Sequence, residues 1–342
     1  MKRGLCSSPP ATRLAEWLFE EGIGENRAAL VAEGEILEAA VELPGQLRAG
    51  SVVAARLTTI LVPGRRGIVT LDHGEALLEP MPPRLTEGAT LRVEITREAI
   101  AETGRTKLPK CRFTEEPLRH GYALRERLHG TGIQVSEGTS FGPDRLEQAG
   151  WSQLVEEALL GELSFPGGAL RMSLTPAMTL FDVDGALPPA QLAVAGAAAA
   201  GRAIRRHGIG GSIGIDLPTL AGKDERQATA AALDAALPQP FERTAVNGFG
   251  FLQVVRKRER ASIPELLQAD QVGGAARLLL RRAERSGGSG ERVISAAPAV
   301  IARLEANPGW IETLAKRLGA PVALRAEPGL AISAGHVQSR FV

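Results

Sequence analysis

The chain is poor in cysteine and in aromatic residues: 342 residues contain two cysteines, one tyrosine and three tryptophans. Cys6 and Cys111 lie far apart in the sequence, so one chain can build neither a disulfide framework nor a cysteine-rich zinc site, and both read as ordinary reduced thiols. No stretch nears the ~18 consecutive apolar residues of a membrane span, and residues 1–10 carry basic side chains without the apolar run of a signal peptide. The expectation is a cytoplasmic protein with no membrane partner. An excess of one charge is missing too. Forty basic and 39 acidic residues leave a net charge of +1, so a polyanion would have to be drawn by a local patch. Aromatic residues make up 4%, which weakens any recognition that relies on base stacking.

What is present is 44% hydrophobic and 23% charged, a globular composition that excludes disorder over most of the length. The length predicts two or three units in one polypeptide. Residues 26–43 alternate short apolar stretches around Glu33-Gly34, the pattern of a hairpin. Residues 51–113 hold four or five short strands (51–61, 67–71, 75–78, 90–95 and 106–113) separated by Pro63-Gly64, Asp72-His73-Gly74 and Glu87-Gly88, which suits a small β-barrel such as an OB fold. Helices are expected over 122–128 and 146–160. From residue 169 a βαβαβ pattern follows: strand 169–182, helix 188–207, strand 212–216, helix 224–237, and strands 243–246 and 250–256. The C-terminal part predicts helices 275–286, 298–306 and 310–318 with strands 292–296, 322–326 and 331–333. No internal repeat of fixed period is seen.

Two strands of the α/β unit end in carboxylates, Asp182 with Asp184, and Asp216. A right-handed β-α-β crossover makes such strands parallel neighbours, about 4.8 Å apart, so that side chains at one carboxyl edge converge. A few hard oxygen donors with room for water suit Mg²⁺, or Mn²⁺ in its place, better than zinc. Such an ion could position water for attack on a phosphodiester. Gly208, Gly210, Gly211 and Gly214 follow a helix and precede a strand, the reverse of the order in a nucleotide-binding loop. The five histidines show no metal-binding spacing, and His207 reads as a helix C-terminal dipole partner. Basic clusters occur at Arg202, Arg205 and Arg206, at Arg256, Lys257, Arg258 and Arg260, and at Arg281, Arg282 and Arg285. The second directly follows a strand of the aspartate-bearing sheet and is favoured for substrate contact.

The stretch LVEEALLGELSFPGGALRMSLTPAMTLFDVDG (154–185) resembles the segment that introduces the active site in the ribonuclease E/G family of endoribonucleases. GGSIGIDLPTL resembles that family's second aspartate strand, and GFGFLQVVRKRER its Phe-Gly-Leu-Leu strand with trailing arginines. Residues 26–43 with the expected OB fold resemble its N-terminus with an inserted S1-type RNA-binding domain, and 275–338 resemble its small C-terminal domain. The resemblance implies a mixed α/β (α+β multidomain) fold: an N-terminal hairpin region of the nuclease core (1–46), an OB-fold domain (47–114), the catalytic nuclease domain (115–262) and a small α/β domain (263–342). It implies a Mg²⁺-dependent endoribonuclease that cuts single-stranded RNA, leaving a 5′-phosphate and a 3′-hydroxyl. Asp182 and Asp216 fall on the two metal-binding catalytic aspartates. Asp184 stands where the family usually has a supporting Asn, and Arg226 matches a basic position in the following helix. With Arg256, Lys257 and Arg258, Arg226 is expected to contact RNA.

Three departures mark a reduced relative. The family's zinc-linking Cys-Pro-x-Cys is replaced by ASIPELLQADQ, so no zinc and no zinc-linked dimer are expected, while other oligomerisation is left open. Stacking aromatics are missing from GIVTLDHG and ALLEP. A second reading is therefore a catalytically silent RNA-binding or regulatory protein on the same scaffold. Finally, Ser136 and Glu137 stand where the family's 5′-monophosphate pocket has an Arg-Thr pair, and an acid there would repel a phosphate. Cleavage of 5′-hydroxyl and 5′-phosphorylated RNAs is therefore expected at equal rates; a tenfold preference for the phosphorylated substrate would overturn the placement of these two residues.

Overall fold

A computed structural model describes residues 15–102, 105–139, 142–288 and 290–340; residues 1–10 and Cys6 lie outside them. Three strands open the chain, β1 (Glu16–Glu21), β2 (Asn26–Ala32) and β3 (Glu35–Glu42), paired antiparallel in that order. The β2–β3 turn falls on Glu33-Gly34 as expected. Both residues have positive φ, 54° and 86°, which matches the strand twist of a two-residue hairpin.

Next comes a closed five-stranded barrel: β4 (Val52–Val62), β5 (Arg66–Leu71), β6 (Gly74–Leu78), β7 (Thr90–Arg97) and, after a small hairpin of β8 (Ile100–Glu102) and β9 (Arg105–Lys107), β10 (Lys110–Phe113). β10 pairs antiparallel with β7 and parallel with β6, which closes the ring. The single strand expected over 106–113 is thus two strands in different sheets, separated at Leu108-Pro109, where proline offers no N–H to a ladder. Alternate residues such as Leu57, Val69, Leu78 and Val93 fill the interior. Cys111 is among them, and burial pushes its thiol up to about 12, which keeps it inert.

The chain then returns to the first sheet through α1 (Leu124–His129) and β11 (Val135–Glu137), which pairs parallel with β1. The helix expected over 146–160 is broken into α2 (Arg145–Gln148) and α3 (Trp151–Leu160), because Gly150 between them adopts φ 97°.

The six-stranded sheet that follows has the order β12-β13-β14-β15-β17-β16. Its members are β12 (Glu162–Phe165), β13 (Gly168–Leu174), β14 (Thr179–Gly185), β15 (Gly211–Asp216), β16 (Glu242–Arg243) and β17 (Phe251–Arg256), with α4 (Pro189–Arg206) and α5 (Lys223–Ala236) on either side of β15 in the chain. The strand expected over 169–182 is really the β13–β14 hairpin. Thr175 turns the chain, accepting from the backbone N–H of Met178 at 3.1 Å and donating to its carbonyl at 2.7 Å. Only β14 and β15 are parallel, joined by the α4 crossover; β17 returns antiparallel. The helices pack on one face, where Phe181, Ile213, Ile215, Leu252 and Val254 meet Ala193, Ala197, Ala200 and Ile204. Close approach requires small residues: a Cβ on Gly196 would lie 2.4 Å from Val183.

The C-terminal part holds α6 (Ile263–Ala269), which the sequence reading missed, then α7 (Gln271–Arg285), β18 (Glu291–Ala296), α8 (Pro298–Glu305), α9 (Pro308–Leu318), β19 (Val322–Ala326) and β20 (His336–Arg340). α6 starts with a capping box, Ser262 accepting from the Glu265 N–H and Glu265 from the Ser262 N–H. The last strand lies at 336–340 and not at 331–333, where the chain turns.

Helix α7 is tied to the first sheet by buried ion pairs. Arg277, Arg281 and Arg285 recur every four residues and so share one face. Arg277 reaches Glu25 at 2.7 Å, Arg281 and Arg285 both reach Glu20 at 2.7 Å, and Arg27 joins Glu20 at 2.9 Å and Glu25 at 2.6 Å. Arg281 also meets Asp144 at 2.6 Å. Two members of the third basic cluster of the sequence are therefore internal, Arg281 and Arg285 being spent on carboxylates, while Arg282 is exposed and donates to the Gly335 carbonyl at 3.3 Å.

Burial alone would raise the Glu20 carboxyl, but Arg281, Arg27 and Arg285 hold it down at about 2. A depressed carboxylate stabilises the fold fully above its unfolded value of 4.5, and that contribution drains away as pH falls toward 2. Glu20→Gln is expected to cost about 3 kcal/mol or more at pH 7, because buried guanidinium groups lose their counter-charge. Urea denaturation of both proteins at pH 7 and pH 3 checks this: the gap should narrow at pH 3, and equal midpoints at pH 7 would refute it.

Candidate functional site

Because β14 and β15 run parallel with Asp182 level with Asp216, the two side chains leave the same face about 4.8 Å apart. That face is the one opposite the helices, where both residues are exposed while Phe181, Val183 and Ile215 point into the core. Asp216 ends β15 as expected, whereas Asp182 closes the β14–β15 ladder three residues before β14 itself ends, so the pairing comes from register across an open sheet face. Asp184 projects from the same face one pleat repeat further on, opposite Ala169, roughly 7 Å along the strand. The side chains of Asp182, Asp184 and Asp216 have no hydrogen-bond or ion-pair partner among the described residues.

The register extends the row. On β13 Arg171 stands directly opposite Asp182, Glu162 stands opposite Arg171, and Phe251 stands opposite Asp216. Across the open face the order is Glu162, Arg171, Asp182, Asp216 and Phe251. Arg171 is exposed and also has no side-chain partner among the described residues. Sequence reasoning passed over it because the β13–β14 hairpin was read as one strand, which hid the cross-strand neighbour of Asp182.

An apolar floor lies beside the carboxylates. A Cβ on Gly214 would come within 2.6 Å of the Phe251 ring and 2.7 Å of Leu180, so the glycine lets the ring lie across the strand. One turn earlier, Asn247 Oδ1 accepts from the backbone N–H groups of Phe249 and Phe251 at 2.9 and 3.0 Å. Gly250, at φ 92°, packs against the Leu217 carbonyl where a Cβ would lie 2.2 Å away. This turn holds Phe249 out to solvent, 85% exposed, next to the loop that follows Asp216. Aromatic surface thus occurs here although the barrel strands β5 and β6 have none.

The basic residues assigned to the same site are placed elsewhere. Arg226, on α5, donates Nη1 to the carbonyls of Leu220 and Ala221 at 3.0 and 3.3 Å; it braces the loop after Asp216 from the helix side. Arg256 pairs with Gly211 while Phe251 pairs with Asp216, so five residues separate Arg256 from the aspartate row, about 17 Å along the strand. Lys257 and Arg258 lie beyond it, Lys257 paired with Glu259 and Arg258 with Glu265. They cannot clamp a phosphate that the aspartates hold. The second basic cluster follows the sheet in sequence, but it leaves from the end of the sheet opposite to Asp216 because β17 is antiparallel.

His207 is fully buried and its Nε2 lies 3.3 Å from Glu157. Burial lowers its pKa, with Glu157 acting in the opposite sense and Arg206 adding to the effect of burial; the ring follows α4 directly, packed beside Glu157. Ser136 donates to Glu16 at 2.8 Å and Glu137 pairs with Arg125.

Among the described residues no group of three or more His, Cys, Asp or Glu side chains is close enough to hold a metal; the Asp182–Asp216 pair is a two-carboxylate arrangement. Two exposed carboxylates with no internal partner fit an ion such as Mg²⁺, which keeps several waters and takes one or two protein carboxylates. No helix among the described residues is long and apolar enough to cross a membrane. No known family model matches the chain, and no curated protein matches it.

Like charges directly opposite each other destabilise a sheet by about 0.2–1 kcal/mol. Asp216→Asn is therefore expected to stabilise the protein by that amount in EDTA, and the gain should vanish in millimolar Mg²⁺. Urea titrations under the two conditions check this; a loss of stability in EDTA would show that the carboxylates do not repel.

Proposed function

We propose that the chain is a Mg²⁺-dependent endoribonuclease, with Mn²⁺ as the alternative ion, that hydrolyses single-stranded RNA in the manner of the ribonuclease E/G family. The observation that carries this reading is the in-register Asp182–Asp216 pair on adjacent parallel strands, solvent-facing and without internal partners. The resemblance of residues 154–185 and of the Asp216 strand to that family's active-site segments supports it.

In this reading Asp182 and Asp216 hold the ion, and Asp184 orients one of them or a water. The ion's contribution is a more acidic water and compensation of negative charge at phosphorus. Arg171 offers its guanidinium to a phosphate oxygen beside Asp182, and it also offsets the negative charge of the row. Phe249 and Phe251 give flanking bases a surface to stack on, worth about 1–3 kcal/mol per base. Arg226 keeps the loop after Asp216 in place, and the barrel serves as an OB-type RNA-binding domain. The products are a 5′-phosphate and a 3′-hydroxyl.

The second reading, a catalytically silent RNA-binding protein, is favoured by the lack of a third metal-binding side chain within reach among the described residues. Against it stands the repulsion within the aspartate pair, which a binding protein has no physical reason to keep unless a cation lies between them.

Asp182→Asn and Asp216→Asn are each expected to lower cleavage of a fluorescent single-stranded RNA in Mg²⁺ by about two orders of magnitude or more while RNA retention stays unchanged. Unchanged cleavage in both variants would refute the assignment. RNA retention by the wild-type protein without any Mg²⁺-dependent product would favour the silent reading.

A further inference from the structure

The basic segment displaced from the aspartate row lines a cleft of its own, of about 370 Å³, within the size range of small-ligand sites. It lies between β3, α1, the end of α4 and the end of β17. Six cationic side chains line it, Arg127, Arg205, Arg256, Lys257, Arg258 and Arg260, against two carboxylates, Glu38 and Glu259. They come from three separate parts of the chain, so no charge run in the sequence displays the cluster as a whole.

The cations are only partly compensated. Arg258 pairs with Glu265 through Nη2 and Lys257 with Glu259. Arg205 lies 3.5 Å from Glu38, and Arg260 lies 3.5 Å from Glu259 and 3.7 Å from Glu98. The Arg127 side chain has no ion-pair or hydrogen-bond partner among the described residues. Arg256 donates to a neutral acceptor, the Ile209 carbonyl at 3.1 Å. The Nε atoms of Arg127, Arg205, Arg258 and Arg260 are buried without a hydrogen-bond partner.

The guanidinium groups also oppose one another. Burial and the charge of Arg260 lower Arg127 to about 10, with Glu42, Glu98 and Glu259 acting in the opposite sense. Burial also lowers Arg256, with Arg205 adding to the effect and Glu38 opposing it. Desolvated, mutually repelling cations cost stability unless an anion joins them. Guanidinium groups offer forked donors that match phosphate oxygens.

We infer that this cleft is a second site, separate from the aspartate row, that binds a phosphoryl group through Arg127, Arg256 and Arg205. Two sources share that chemistry, a backbone phosphate of RNA and a free phosphate or nucleotide. The inference stands on the cleft's own charges and requires no nuclease activity.

The test is calorimetric titration of the full chain, in EDTA, with inorganic phosphate and separately with a 5′-hydroxyl single-stranded RNA 20-mer. Wild type is compared with Arg127→Gln, Arg256→Gln and Arg205→Gln, with folding checked by circular dichroism. At least a tenfold loss of affinity for phosphate or for RNA is expected in the cleft variants, and the salt dependence of RNA binding should shrink by about one charge per substitution. Phosphate that competes with RNA, or RNA weakened with no phosphate heat, identifies the backbone as the source. Phosphate that binds without competing identifies a free ligand. Asp182→Asn should leave all of this unchanged, whatever it does to cleavage. Should a buried-arginine variant not fold, Lys257→Gln at the exposed mouth reports instead. No phosphate heat together with unaltered RNA affinity in the folded variants overturns the inference.

Discussion

Glu20 accepts from three arginines, Arg27 beside it in the first sheet and Arg281 and Arg285 from a helix more than 260 residues later in the chain. Removing one carboxylate from such a cluster exposes several buried cations at once, so the N-terminal sheet and α7 stand or fall together. Their association in turn fixes the surroundings of the other parts. β11 is held on β1, α6 lies between α7 and the end of β17, and the barrel is inserted between β3 and α1. Charge does here what apolar burial does inside the six-stranded sheet, but with directional bonds that specify which residues meet.

The sheet itself separates two tasks by face. Its inner face is closed by α4, whose small residues permit close packing, and its outer face carries polar side chains on every strand from β12 to β15. Alternation of side chains along a strand makes this division automatic once one face is apolar. A register in which Asp182 and Asp216 are level then sets two like charges side by side, with Arg171 flanking them. An arrangement that costs energy in the isolated protein, at a solvent-facing position where lone polar residues would cost none, is a local conflict of the kind found at functional sites.

Legibility in the sequence followed the range of the interaction. The Glu33-Gly34 hairpin, α4 ending before Gly208, α5, and the strands β5 to β7 and β15 were readable because turn chemistry and periodicity act over a few residues. The split of 169–182 into a hairpin escaped notice, since Thr175-Pro176 lies inside an otherwise continuous apolar pattern. The break at Gly150 and helix α6 were missed for related reasons: both depend on a single residue's backbone or side-chain bond, Gly150 at positive φ and Ser262 at a cap. The two aspartates were found from chemistry and spacing, whereas Arg171, Phe249 and Phe251 were not, because their relation to the pair exists only across strands.

The sequence by itself determined that the chain is globular, mixed in helix and strand, provided with a small β-barrel region, and marked by Asp182, Asp184 and Asp216 within one α/β unit. Those features are written in local patterning and residue type. Tertiary structure decided the strand directions, and therefore that Arg256, Lys257 and Arg258 leave the sheet about 17 Å from the aspartates and join Arg127 and Arg205 instead. It also decided that Arg281 and Arg285 are buried counter-ions. A charge on its own carries no address; only the pairing of distant strands and helices selects the partner it meets, and that selection is made by register and burial across the whole fold.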